Sequence, residues 1–166
     1  MSRRAFYRII LYSGENGELE PVKIAQQLGL QLNTVKKYLK TLEKEELVRR
    51  IDDKRYQLTS KGLKLKKSIE RLKEIKTPEP YIITNPSTGE PLQLTVRDYK
   101  QLYAVIEYGL APRNILEEHL KRGYFLEWIK NVFNDEFLVE LINEGRITTI
   151  DDLKNYLKEI IGLLTK

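Results

Sequence analysis

Cationic and amide side chains at helical spacing carry the chemistry of this 166-residue sequence. Val35, Leu39, Leu42 and Glu46 recur at i, i+4, i+7 and i+11, so three apolar residues share one stripe. At roughly 100° per residue, Asn33, Lys37, Lys40 and Lys44 project from the opposite side, with Lys36 on its edge. An asparagine amide both donates and accepts, which suits the edge of adenine, and a lysine ammonium suits phosphate oxygens or guanine. A helix with an apolar back and such a front is shaped for a DNA major groove. It lacks arginine, the common specific reader of guanine, so its affinity should be largely electrostatic.

Residues of catalytic type do not gather in the same way. Cysteine is absent, which excludes disulfides, thiolate metal sites and thiol nucleophiles. His119 is the single histidine, and with Leu116 and Leu120 beside it a structural role is expected. Glu117 and Glu118 are adjacent on a helix and diverge, so they do not form a paired-carboxylate site. Gly14-Glu15-Asn16-Gly17 lacks the Lys and following Ser or Thr of a phosphate-binding loop, and no Gly-x-Gly-x-x-Gly occurs. The expectation is a protein without enzymatic activity, cofactor or metal.

Charge separates the chain into halves. Residues 1–76 hold 19 Lys and Arg against 10 Asp and Glu, a net of +9, whereas residues 77–166 carry −4. The sign changes near Thr77-Pro78-Glu79-Pro80, where two prolines stop the preceding helix. The sequence therefore predicts a domain over 1–76, a linker at 77–80 and a second domain over 81–166. No apolar run approaches the roughly 20 residues of a membrane helix, and the Met1-Ser2 start leads into no secretory signal, so a cytoplasmic location is expected.

The elements that must position the basic face follow from periodicity. A helix is expected over Ala5–Tyr12, then a turn at Ser13–Gly17, and a helix from Pro21 to Leu28 closed by Gly29. The basic helix follows to about Glu46. Leu47–Ile51 and Tyr56–Leu58 read as strands around the loop Asp52-Asp53-Lys54-Arg55, and Thr59 or Ser60 caps a helix over Lys61–Lys76.

This order, with Lys23-Ile24-Ala25-Gln26-Gln27-Leu28-Gly29-Leu30, Asn33-Thr34-Val35-Lys36-Lys37-Tyr38-Leu39 and Tyr56-Gln57-Leu58-Thr59-Ser60-Lys61-Gly62, resembles the winged helix-turn-helix family. The final motif is similar to MarR-like, PadR-like and archaeal winged-helix regulators. The resemblance covers residues 5–76 and implies double-stranded DNA as partner. It carries Asn33, Thr34, Lys36, Lys37 and Lys40 to the groove, and Lys54 and Arg55 to the wing contacts. Lys44 and Arg49 complete the implied DNA-binding set. The acidic pair Asp52-Asp53 departs from a purely cationic wing.

Leu65, Ile69 and Leu72, with Ile75 or Lys76, continue an apolar stripe along the trailing helix. It can pack on its own domain or pair two copies of the chain, and a homodimer is expected. Downstream, Tyr81–Thr84 and Leu92–Leu94 flank a turn, and Thr95 with Asp98 reads as a helix cap. Helical stripes follow from Tyr99, Pro112, Leu126, Asp135 and Thr149. The segment Glu118–Asp135 is similar to small helical modules of uncharacterised archaeal and bacterial proteins, a likeness that brings no activity. The fold class expected is mostly α with a small β-wing. The leading function is a DNA-binding transcriptional regulator; the alternatives are an adaptor of the transcription or replication machinery that binds protein, and a sensor whose C-terminal helices enclose a small ligand.

Overall fold

The computed structural model describes residues 3–164, so the reading of Met1-Ser2 lies outside the described residues. The chain divides into two compact units, Met1–Lys67 and Ser68–Lys166. It is mostly helical with two small antiparallel sheets, as the sequence predicts.

In the first unit α1 (Arg3–Ile10) buries Tyr7, Ile9 and Ile10. After a turn come β1 (Glu18–Leu19), α2 (Pro21–Leu28) and α3 (Leu32–Lys44). Pro21 occupies the first turn of α2, where its missing N–H costs nothing, and Gly29 ends that helix at φ 63°. A side chain at that angle would be strained, so the tight passage into α3 depends on glycine. β2 (Val48–Arg50) and β3 (Tyr56–Leu58) then form the hairpin, and α4 (Ser60–Glu74) follows.

Two differences from the sequence expectation bear on the basic helix and the sheet. α3 stops at Lys44, not Glu46, because Glu46 takes a left-handed φ of 64°. The Leu47 N–H then bonds back to the Leu42 carbonyl at 2.9 Å and closes the helix end. The apolar stripe is therefore Val35, Leu39 and Leu42, all fully buried. The second difference is β1, which lies just beyond the expected turn and pairs with β3, making β3 the central strand in the order β1-β3-β2.

The closing motif of the hairpin acts as one mechanical unit. Tyr56 and Leu58 alternate onto the core face of β3. Thr59 caps α4, its hydroxyl accepting the Gly62 N–H at 3.1 Å, while its own N–H reaches the Leu47 carbonyl at 3.0 Å. That carbonyl lies so close to α4 that a Cβ on Gly62 would stand 2.1 Å from its oxygen. Farther along α4, the Lys66 ammonium holds the Ser13 hydroxyl and carbonyl at 2.9 and 3.2 Å.

The second unit opens with the remainder of α4 and the hairpin β4 (Tyr81–Thr84) and β5 (Pro91–Val96). Five helices follow: α5 (Tyr99–Glu107), α6 (Arg113–Lys121), α7 (Tyr124–Trp128), α8 (Glu136–Asn143) and α9 (Ile150–Leu164). α7 runs into a π-helical turn over Ile129–Phe133. Thr95 does not cap a helix: it lies in β5 opposite Ile82, and Asp98 is the cap, accepting the Gln101 N–H at 2.8 Å. Thr149 and Asp152 cap α9 reciprocally, each side chain accepting the other's N–H at 3.1 Å.

A polar knot sits inside this helical core. Asp135 is fully buried; its carboxylate accepts the hydroxyls of Tyr99 at 2.7 Å and Tyr156 at 3.0 Å and the Leu138 N–H at 3.1 Å. Burial pushes the Asp135 carboxyl above its ordinary 3.8, against the hydrogen bonds that favour its charged form. The same burial pushes the Tyr99 hydroxyl well above its usual value, with the neighbouring carboxylate acting in the same direction.

Two outcomes are expected. A helical glycine-to-alanine change normally stabilises, but Gly62→Ala should destabilise by about 1–3 kcal/mol in a urea titration, through overpacking against backbone. The folded protein holds the Asp135 proton more tightly than the unfolded chain does, so that contribution is full below the ordinary value and fades as pH rises through the raised one. The stability of wild type relative to Asp135→Asn should therefore fall as pH rises from below the ordinary carboxylate value through the raised one.

Candidate nucleic-acid interface

α3 is held from behind and free in front. Val35, Leu39 and Leu42 fix it to the core, and Tyr38 meets Phe6 of α1 edge-on at 5.0 Å. Asn33, Lys36, Lys37, Lys40 and Lys44 are all exposed and span an arc of roughly 100° on the other side. Thr34 is half-buried at the border of that arc. Among the described residues, none of these four lysines makes an ion pair, so their charge is undiminished. The first turn of α3 carries no acid and its N-cap makes no side-chain bond, which leaves the positive end of the helix uncompensated.

The wing treats its charges differently. Asp52 accepts the Lys54 N–H at 2.8 Å, a local turn bond two residues on, and the Arg55 guanidinium at 2.9 Å. Arg55 also faces Glu18 of β1 at 3.7 Å. The Lys54 amide, followed by the Arg55 guanidinium, holds the Asp52 carboxyl below its ordinary value, and Asp52 in turn raises Arg55. Arg50 pairs with Asp53 and donates to the Asp52 carbonyl at 3.3 Å. The acids thus brace the loop from within, and Arg55 is part of that brace. Lys54 keeps its ammonium free at the tip.

Arg49 stands on the solvent face of the small sheet. It lies opposite Gln57, which in turn lies opposite Glu18, so these three form a cross-strand row while Val48, Leu58 and Tyr56 are buried. Arg49 has no ion-pair partner among the described residues. The roles of Glu18 and Asp52 were not drawn from the sequence. Asp52 had a usable signal, an aspartate two residues before an amide in a short loop. Glu18 had none, because its pairing depends on the unexpected β1.

A helix, a second helix turned by Gly29 into a basic third, and a three-stranded sheet with a short loop define a winged helix-turn-helix. The family model described as Winged helix-turn-helix matches residues 3–77, and this segment has that fold. The match supports DNA binding and covers just under half of the chain. No curated protein and no solved structure matches the chain. No helix of the structure is long and apolar enough to cross a membrane, as far as the described residues go.

Removing the internal brace should be visible locally. Asp52→Ala is expected to leave the thermal midpoint unchanged, since the group is solvent-exposed, while the Lys54 amide exchanges at least about tenfold faster by NMR.

Proposed function

We propose that residues 1–76 bind double-stranded DNA and that the protein is a cytoplasmic transcriptional regulator acting as a homodimer. The observation that carries the reading is the front of α3: an asparagine and four unpaired lysines opposite a fully buried apolar stripe. Asn33, Thr34, Lys36, Lys37 and Lys40 enter the major groove, and Lys44, Arg49 and Lys54 meet phosphates. Arg55 serves at the wing, shaping the loop through Asp52 and adding its remaining hydrogen-bond donors to the DNA. A lysine-rich front gives strong attraction and modest base discrimination, so two copies on paired half-sites would supply the selectivity one lacks.

The trailing helix bears on how a dimer could form. Leu65 and Ile69 are fully buried within the chain, which leaves the half-buried Leu72 and the exposed Leu63 as its apolar contribution; α4 ends at Glu74 and not at the expected Lys76, so the half-buried Ile75 lies just beyond it.

Fluorescence anisotropy with a mixed-sequence duplex over a salt series tests this reading. Affinity should fall steeply with salt, and Lys44→Ala with Lys54→Ala should reduce the slope of log K against log salt by about 1.8, from about 0.9 per phosphate contact. Failure to bind duplex even at low salt would sink the proposal and favour a protein-binding adaptor.

A further inference from the structure

The second unit contains a cavity of about 350 Å³. Its wall includes Tyr81, Tyr124 and Trp128 together with Glu79, Glu127 and Asn131. The volume sits at the small end of the range for small-molecule sites.

The polar ends of two of these rings are already engaged. The Trp128 indole N–H donates to the Glu79 carbonyl at 2.8 Å. The Tyr81 hydroxyl donates to Nδ1 of His119, whose Nε2–H donates to the Thr84 carbonyl at 2.7 Å. Burial keeps the Tyr81 hydroxyl protonated by raising it far above its ordinary value, so this donor persists. His119 is thereby fixed between β4 and α6, with both ring nitrogens engaged. The Tyr81 and Trp128 rings lie 5.4 Å apart and 48° from parallel, an aromatic corner held by these bonds in which Trp128 is buried and Tyr81 half-buried.

The charge of the wall has one sign. Glu79 and Glu127 have no ion-pair partner among the described residues, and no Lys or Arg lines the cavity. The Arg122 guanidinium lies outside the lining, pairing with Glu118 at 3.0 Å and donating to the Pro86 carbonyl at 3.4 Å. An anion would face two unopposed carboxylates, and a neutral guest would gain nothing from them. A cation gains from both carboxylates and from the electron-rich ring faces.

We infer that this cavity binds a small organic cation, of the methylated or quaternary ammonium class, against the corner made by the Tyr81 and Trp128 rings and the Tyr124 ring, beside the Glu79 and Glu127 carboxylates. The site lies wholly in the second unit. Asn131 adds a polar group able to hold a hydroxyl or carbonyl on the guest.

Trp128 is the chain's only tryptophan, so its fluorescence reports on the site alone. Choline titrated into the full chain should change that emission saturably, and the neutral isostere 3,3-dimethyl-1-butanol should bind at least about tenfold more weakly. Glu79→Gln combined with Glu127→Gln should weaken choline about tenfold or more while leaving the thermal midpoint in place, since both side chains are exposed. The inference is overturned by an absent or unsaturable choline response, by equal binding of the neutral isostere, or by a double variant that binds choline as wild type does.

Discussion

The close approach of α4 to the Leu47 carbonyl organises the first unit. That single oxygen lies at the junction between the end of α3 and the start of β2, and it receives the Thr59 N–H from the other end of the hairpin. Only a residue without a Cβ fits at position 62, where the helix passes over it. The contact therefore ties the basic helix, both hairpin strands and the trailing helix through one point. The left-handed Glu46 just before Leu47 is part of the same joint, since it turns the chain out of α3 and delivers the carbonyl to α4.

This joint presents two charge regimes on one small domain. On α3 the four lysines pair with no acid among the described residues, and burial of Val35, Leu39 and Leu42 keeps them facing outward. In the wing the acids are consumed locally by Arg50, Arg55 and the Lys54 amide. Two aspartates in a five-residue loop thus contribute rigidity more than repulsion. Unpaired charge able to attract a polyanion is presented by α3, Arg49 and the Lys54 tip.

Much of this was legible in the sequence, for physical reasons that differ by element. The 3.6-residue period located α2 and α3, and the chemistry of Pro21 and Gly29 located the turn between them. The motif from Tyr56 to Gly62 was legible as a resemblance, but its reason, a carbonyl under Gly62, required coordinates. Glu46 fitted the helical period and still left the helix, because the Leu47 backbone bond competes successfully with one more turn. Thr95 reads as the cap with Asp98 in the first turn, but strand pairing with Ile82 claims Thr95 and leaves the cap to Asp98. The Asp135 knot and the aromatic cavity join residues far apart in the chain, and no local pattern announces such convergence.

The central claim is that the α3 front and the wing tip meet duplex DNA, and amide chemical-shift mapping addresses it most directly. On addition of a short mixed-sequence duplex at low salt, the largest changes should fall on residues 32–44 and 49–55, with α5 to α9 little affected. Changes concentrated in the second unit, or none at all, would contradict the account.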